Sequence, residues 1–107
     1  MADFKRINTL TAHELWNSKT ARFVDIRDER SYAAAHIPGS MRLTDANVQQ
    51  FLDDLDDHDQ VVVVCYHGNS SQGAAQYLAH QGVESVSSLD GGMTAWAQAF
   101  PEAVERS

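Results

Sequence analysis

Polar and apolar positions alternate between two periods along the chain, and the switches mark out elements. Residues 4–10 form a short first stretch that reads as a strand. Thr11-Ala12-His13-Glu14 fits a capping box, in which hydroxyl and carboxylate satisfy free backbone donors, so a helix of about two turns is predicted through Leu15 and Trp16. Residues 22–26 read as a strand, followed by charge (Arg27-Asp28-Glu29-Arg30) and a short helix through Tyr32 and Ala33. His36-Ile37-Pro38-Gly39-Ser40 has turn chemistry. Met41-Arg42-Leu43 is a weak strand. Thr44 or Asp45 then caps a helix whose apolar face is Val48, Phe51, Leu52 and Leu55. Val61-Val62-Val63-Val64 is continuous and β-branched, the pattern of a parallel strand covered on both faces. A helix beginning near Ser70 or Ser71 runs toward Gly82, a good residue for its end. Residues 83–89 give another strand, Asp90-Gly91-Gly92 a turn, and Met93 to Phe100 a last helix stopped by Pro101.

Regular alternation of strand and helix predicts an α/β fold with a central parallel sheet of about five strands and helices on both faces. Ligands of such sheets bind beyond the carboxyl ends of the strands, where strand order switches. Cys65 directly follows the strongest strand and so lies where that rule points.

The chain has 107 residues, enough for one domain, 1–107, with a core that needs no disulfide or metal. Its 43% hydrophobic and 21% charged residues are those of a globular chain. Cys65 is the sole cysteine, which excludes an internal disulfide and a cysteine-built zinc or iron–sulfur site. No apolar run approaches the roughly 18–20 residues of a membrane span. The first ten residues carry Asp3, Lys5 and Arg6 and no long apolar stretch, so no secretory leader is expected and the cytoplasm is the expected compartment. A net charge of −7 disfavours nucleic acid and anionic membranes as partners. A small anionic substrate would need a local positive field.

Cys65-Tyr66-His67-Gly68-Asn69-Ser70-Ser71 supplies a candidate for that field. Gly68 and Asn69 tolerate tight, left-handed turns, so the loop can curl and aim backbone N–H groups at the sulfur. The following helix adds its positive end. Both favour thiolate over thiol. Residue types alone leave two readings open: a nucleophile, or a buried core cysteine at a strand end. The sixth residue after Cys65 is Ser71, not the arginine that a cysteine phosphatase uses to grip phosphate, which argues against phosphoester and arsenate chemistry. No second cysteine is present for dithiol exchange. A single thiolate carrying a group, such as a persulfide, fits what is left.

Four segments in order resemble the rhodanese family, and in particular its small single-domain bacterial thiosulfate sulfurtransferases. These are Val24-Asp25-Ile26-Arg27-Asp28, the signature from Tyr32 to Ser40 (with Ala35 and Ser40 where Gly and Ala are usual), the loop 65–71, and Asp90-Gly91-Gly92-Met93-Thr94-Ala95-Trp96. Many members carry Arg or Lys in the loop; this one has neither. The resemblance implies a rhodanese-like domain and a ping-pong cycle without metal or organic cofactor. In that cycle Cys65 takes the outer sulfur of thiosulfate, releases sulfite, and passes the sulfur to cyanide or to a dithiol such as thioredoxin. It also implies that Tyr66, His67, Gly68, Asn69, Ser70 and Ser71 form the substrate and persulfide loop. A noncatalytic rhodanese-like binding module, or a sulfur carrier loaded by another persulfide donor, is the alternative.

Other residues have plainer readings. His67 is a loop residue facing solvent or a group that attracts the anion. His36 belongs to the turn as a structural hydrogen-bonding residue. Arg27 serves either anion attraction or a structural salt bridge. Ser70 and Ser71 are candidate helix caps whose hydroxyls also reach a persulfide. Tyr66 walls the pocket or packs beneath it. The acidic run Asp53, Asp54, Asp56, Asp57 and Asp59 with His58 lacks the spacing of a calcium loop and reads as a solvated helix end. Trp16 and Trp96 read as core anchors, and His13, His58 and His80 are too dispersed for a metal.

Overall fold

The computed structural model describes residues 3–107. Met1 and Ala2, the start of the segment expected to hold no leader, lie outside the described residues. The strands are β1 (Lys5–Ile7), β2 (Ala21–Asp25), β3 (Met41–Arg42), β4 (Gln60–Val64) and β5 (Ser85–Leu89). The helices are α1 (Thr9–Ser18), α2 (Glu29–Ala34), α3 (Val48–Asp54), α4 (Ser70–His80) and α5 (Gly92–Ala99), with a 3-10 turn over Pro101–Ala103. All strand pairs are parallel, in the order β1-β5-β4-β2-β3.

That order makes β4 the switch point. Chain-order neighbours of β4 lie to opposite sides: β3 beyond β2, and β5 directly alongside. Ligands of such sheets bind at the carboxyl end of the switch-point strand, and Cys65 begins the segment that leaves β4 there. The four valines of β4 are each at most 1% exposed because both faces are covered. Val62 and Val64, with Phe23 and Leu89, pack against Ala12 of α1 and Met93 and Trp96 of α5. Val61 and Val63, with Val24 and Val86, pack against Phe51 of α3 and Ala75, Leu78 and Ala79 of α4. Alternation along a strand assigns each valine to its layer. Trp96 is fully buried and donates its indole N–H to Ala103 O at 2.8 Å. Trp16, half-buried, donates to Pro38 O at 2.8 Å.

Element ends depart from expectation where caps compete. The first helix begins two residues before Thr11, because Asn8 is the cap and its side chain accepts from Thr11 N at 2.8 Å. The preceding strand is correspondingly shorter. Thr44 and Asn47 exchange hydrogen bonds with each other's backbone N–H, and the cap of α3 is Asn47 rather than Thr44 or Asp45. Asp59 pairs with Arg22 at 3.2 Å and accepts from Asp56 N, so the acidic run is tied into a turn. Among the described residues no three His, Cys, Asp or Glu side chains converge as metal ligands, and no helix is long and apolar enough to cross a membrane.

Leu78 is fully buried between α4 and the sheet. Leu78→Ala should cost about 2–5 kcal/mol, the range for emptying a tight leucine site. A urea unfolding midpoint that stays at the wild-type value would contradict this layer assignment.

Candidate active site

Cys65 is 3% exposed, and its sulfur sits inside the turn that joins β4 to α4. Burial by itself pushes a thiol up, because the charged form loses water. Here the donors around the sulfur outweigh it, and the Cys65 thiol is held below its ordinary value by the Ser71 hydroxyl, then by the backbone N–H groups of Ser71, Gly68 and His67. Ser71 N and Gly68 N each lie 3.2 Å from Sγ, and Ser71 Oγ also lies at 3.2 Å.

The loop curls this way because its carbonyls are tied outward. Met93 N, in the first turn of α5, donates to Cys65 O at 2.8 Å, and Thr94 N donates to Tyr66 O at 3.1 Å. In a planar trans peptide the N–H points opposite to the C=O. Fixing Tyr66 O toward α5 therefore turns His67 N–H the other way, toward the sulfur. The Gln72 side chain holds Gly68 O at 2.9 Å. Gly68 has φ +90°, and a Cβ there would stand 2.8 Å from Gly91 N. At Gly92, φ is +56° and a Cβ would stand 2.5 Å from Cys65 O. The loop and the β5–α5 turn thus approach too closely for any side chain at either position.

Tyr66 points toward α2. It is 43% exposed, and its hydroxyl lies 2.5 Å from Asp28 Oδ2 and 2.6 Å from Ser31 Oγ. This hydroxyl, followed by Ser31 N–H, holds the exposed Asp28 carboxyl at about 2. Asp28 is also the cap of α2. The side chain of a loop residue is therefore anchored to a helix from the opposite half of the sheet. Arg27 is 7% exposed and committed to Asp25, with Nη2 to Oδ2 at 2.8 Å and Nε to Oδ1 at 3.0 Å. It also donates to Ala35 O and lies over the Tyr66 ring, 5.6 Å from its centroid. Its charge is neutralised locally, which gives it a structural salt bridge.

His67, Asn69 and Ser70 are exposed at the mouth of the loop. The α4 cap is Asn69, without a side-chain cap bond, so neither serine caps the helix. Ser71 instead turns its hydroxyl inward, between Cys65 Sγ and Ser88 Oγ, the latter at 2.7 Å. His36 is buried, with Nδ1 2.7 Å from Tyr32 O and Nε2 3.2 Å from Glu105 Oε1. Sequence reasoning placed Gly92 in a turn and in the family-like segment from Asp90 to Trp96, without a contact to the cysteine loop, and Ser88 only in a strand. A polar residue at an inward position of a covered strand was the available signal for Ser88.

Alkylation of Cys65 by iodoacetamide should reach half its plateau at a pH below that of a free cysteine. Gly92→Ala should move that midpoint upward, because a Cβ pressing on Cys65 O disturbs the peptides that aim at the sulfur. An unmoved midpoint in folded Gly92→Ala protein would mean that α5 does not orient the loop. Asp28 yields a second expectation. Its folded pKa of about 2 lies below the unfolded value of about 3.9. The charged form therefore favours folding above the unfolded value, and that contribution fades as pH falls through about 2. Tyr66→Phe should return Asp28 toward the ordinary carboxylate range in a carbon-13 NMR titration; an unchanged curve would assign the whole shift to Ser31.

Comparison with known proteins agrees with this geometry. Residues 10–99 match the model of the rhodanese-like domain. The chain is 48% identical over 103 residues to thiosulfate sulfurtransferase GlpE of Pseudoalteromonas translucida (strain TAC 125), covering 96% of this chain and 98% of that one. Among solved structures, the thiosulfate sulfurtransferase of Pseudomonas aeruginosa superimposes with a TM-score of 0.83 at 23% identity, covering 100% of this chain and 20% of that chain. A rhodanese-like domain protein from Staphylococcus aureus superimposes with a TM-score of 0.77 at 25% identity, covering 97% of this chain and 99% of that one. A parallel sheet with its loop at the β4 switch point, a matching family model over most of the chain and a near full-length relative together establish that the chain belongs to the rhodanese family.

Proposed function

We propose that this protein is a thiosulfate sulfurtransferase that works through a persulfide on Cys65. The observation that carries the reading is the ring of donors around Cys65 Sγ, two backbone N–H groups and one hydroxyl each at 3.2 Å. The near full-length relative with that activity supports it.

The cycle has two displacements. The Cys65 thiolate attacks the outer sulfur of thiosulfate; a new S–S bond forms, and the old one breaks with its electron pair leaving on sulfite. An acceptor nucleophile, cyanide or one thiolate of a dithiol such as thioredoxin, then attacks the outer sulfur of the persulfide. The Cys65 S–S bond breaks and its pair returns to Sγ as thiolate. Each step is nucleophilic catalysis in which the loop stabilises anionic sulfur. The stabilising field is largely backbone in origin, because residues 65–71 contain no Lys or Arg and Arg27 is held by Asp25. Tyr66, His67, Gly68, Asn69, Ser70 and Ser71 form the substrate and persulfide loop, with His67, Asn69 and Ser70 meeting the incoming anion at its mouth. No organic cofactor or metal enters this chemistry. A lone reduced thiol suits the cytoplasm, and a net charge of −7 favours small or protein thiol partners over nucleic acid or membrane.

Intact mass tests the cycle. Thiosulfate without reductant should add one sulfur atom to the wild-type protein, and cyanide should remove it as thiocyanate. Cys65→Ser should fold, gain no sulfur and lose turnover. Retained sulfur transfer in Cys65→Ser would sink the mechanism. A titratable thiol that takes sulfur from polysulfide but not thiosulfate would point to the sulfur-carrier reading, and one that takes none to a binding module.

A further inference from the structure

Ser88 of β5 is a polar residue in an apolar layer. It pairs in register with Val63, and the side chains around that face are Val86, Val63, Ala75 and Leu78. Ser88 and Ser71 are both fully buried. A buried hydroxyl is costly unless it is hydrogen-bonded. The Ser88 hydroxyl meets Ser71 Oγ at 2.7 Å, and Ser71 Oγ lies 3.2 Å from Cys65 Sγ. Three side chains, from the residue after β4, from α4 and from β5, thus form one buried chain, Ser88–Ser71–Cys65.

Each serine has one proton to give. When Cys65 is a thiolate, its sulfur only accepts, so Ser71 donates to it. The Ser71 oxygen is then free to accept, and the Ser88 proton fills that place. Donation into Ser71 polarises its O–H and strengthens its bond to the sulfur, as in other hydrogen-bond chains. We propose that Ser88 is a positioning residue of the sulfurtransferase reaction: from outside the loop, it orients the Ser71 hydroxyl toward Cys65 and so favours the thiolate. This rests on Cys65 as the nucleophile. It has a kinetic consequence in the second displacement, where Sγ is the leaving group. There the Ser71–Ser88 pair meets charge as it develops on Sγ. In the persulfide that charge resides on the outer sulfur, so the pair contributes less before the displacement than after it.

The test is a double-mutant cycle read by the pH profile of iodoacetamide alkylation in wild type, Ser88→Ala, Ser71→Ala and the double variant. Ser88→Ala should move the midpoint upward and slow alkylation about two- to tenfold at pH well below it, the size of one hydrogen bond. Ser88→Thr, which keeps the hydroxyl, should restore the wild-type midpoint. The double variant should match Ser71→Ala, because Ser88 acts only through Ser71. Discharge of preformed persulfide to cyanide should slow in Ser88→Ala by a similar factor. A wild-type midpoint in folded Ser88→Ala protein overturns the proposal, as does a double variant shifted beyond Ser71→Ala. Should Ser88→Ala fail to fold, the near-isosteric pair Ser88→Thr and Ser88→Val carries the test: the midpoint should be higher in Ser88→Val, and equal midpoints overturn the proposal. The alkylation profile does not depend on the sulfur donor, so a failure of thiosulfate to load Cys65 is a separate result.

Discussion

A sulfur anion that is nearly out of contact with water has to be solvated by the protein. That constraint organises the structure around Cys65. The cost of removing charge from water is met by donors that are already aimed, namely the N–H groups of His67, Gly68 and Ser71 and the Ser71 hydroxyl. Donors fixed by folding need no reorganisation when charge appears or moves, which is what distinguishes such a site from a thiol in solvent.

Aiming the donors is the work of distant elements. Two N–H groups at the start of α5 bind the carbonyls of Cys65 and Tyr66. The Tyr66–His67 peptide then shows its N–H edge to the sulfur. Gly68 and Gly92 allow this contact because neither carries a Cβ. The α5 N-terminus offers unpaired donors by its nature, and loop carbonyls satisfy them. Helix end and loop thus complete each other's hydrogen bonding, and the loop's shape depends on α5 being docked through Met93 and Trp96 in the core. On the opposite flank, Tyr66 ties the loop to Asp28 and Ser31.

Charge is handled locally. The chain carries −7 overall, yet its proposed substrate is an anion. A backbone cradle reconciles the two, because oriented N–H dipoles give a positive field without mobile cationic side chains. Arg27, the cation nearest in sequence to the β2 end of the site, is used instead to hold Asp25 and the Ala35 carbonyl. Its ion pair is buried and multiply hydrogen-bonded, so it fixes the β2–α2 corner on which the Tyr66 anchor stands.

The alternation of strands and helices, the covered central strand and the position of Cys65 after it are all legible along the chain. These follow from periodicity and β-branching over residues 61–64, which are local properties. The cysteine loop was legible because its glycine and its place between strand and helix are also local. The cap at Asn8 was missed because Thr11 offered an equally good local signal, and only the docked geometry of α1 decided between them. Tertiary structure alone decided the rest. Whether Arg27 faced an anion or a salt bridge depended on Asp25 and Ala35 closing around it. The inward turn of Ser71, the contact of Gly92 with Cys65 and the placing of Ser88 behind Ser71 join residues 6 to 27 positions apart. Such pairings arise when parallel strands bring their carboxyl ends to one edge, and no pattern along the chain encodes the distances across that edge.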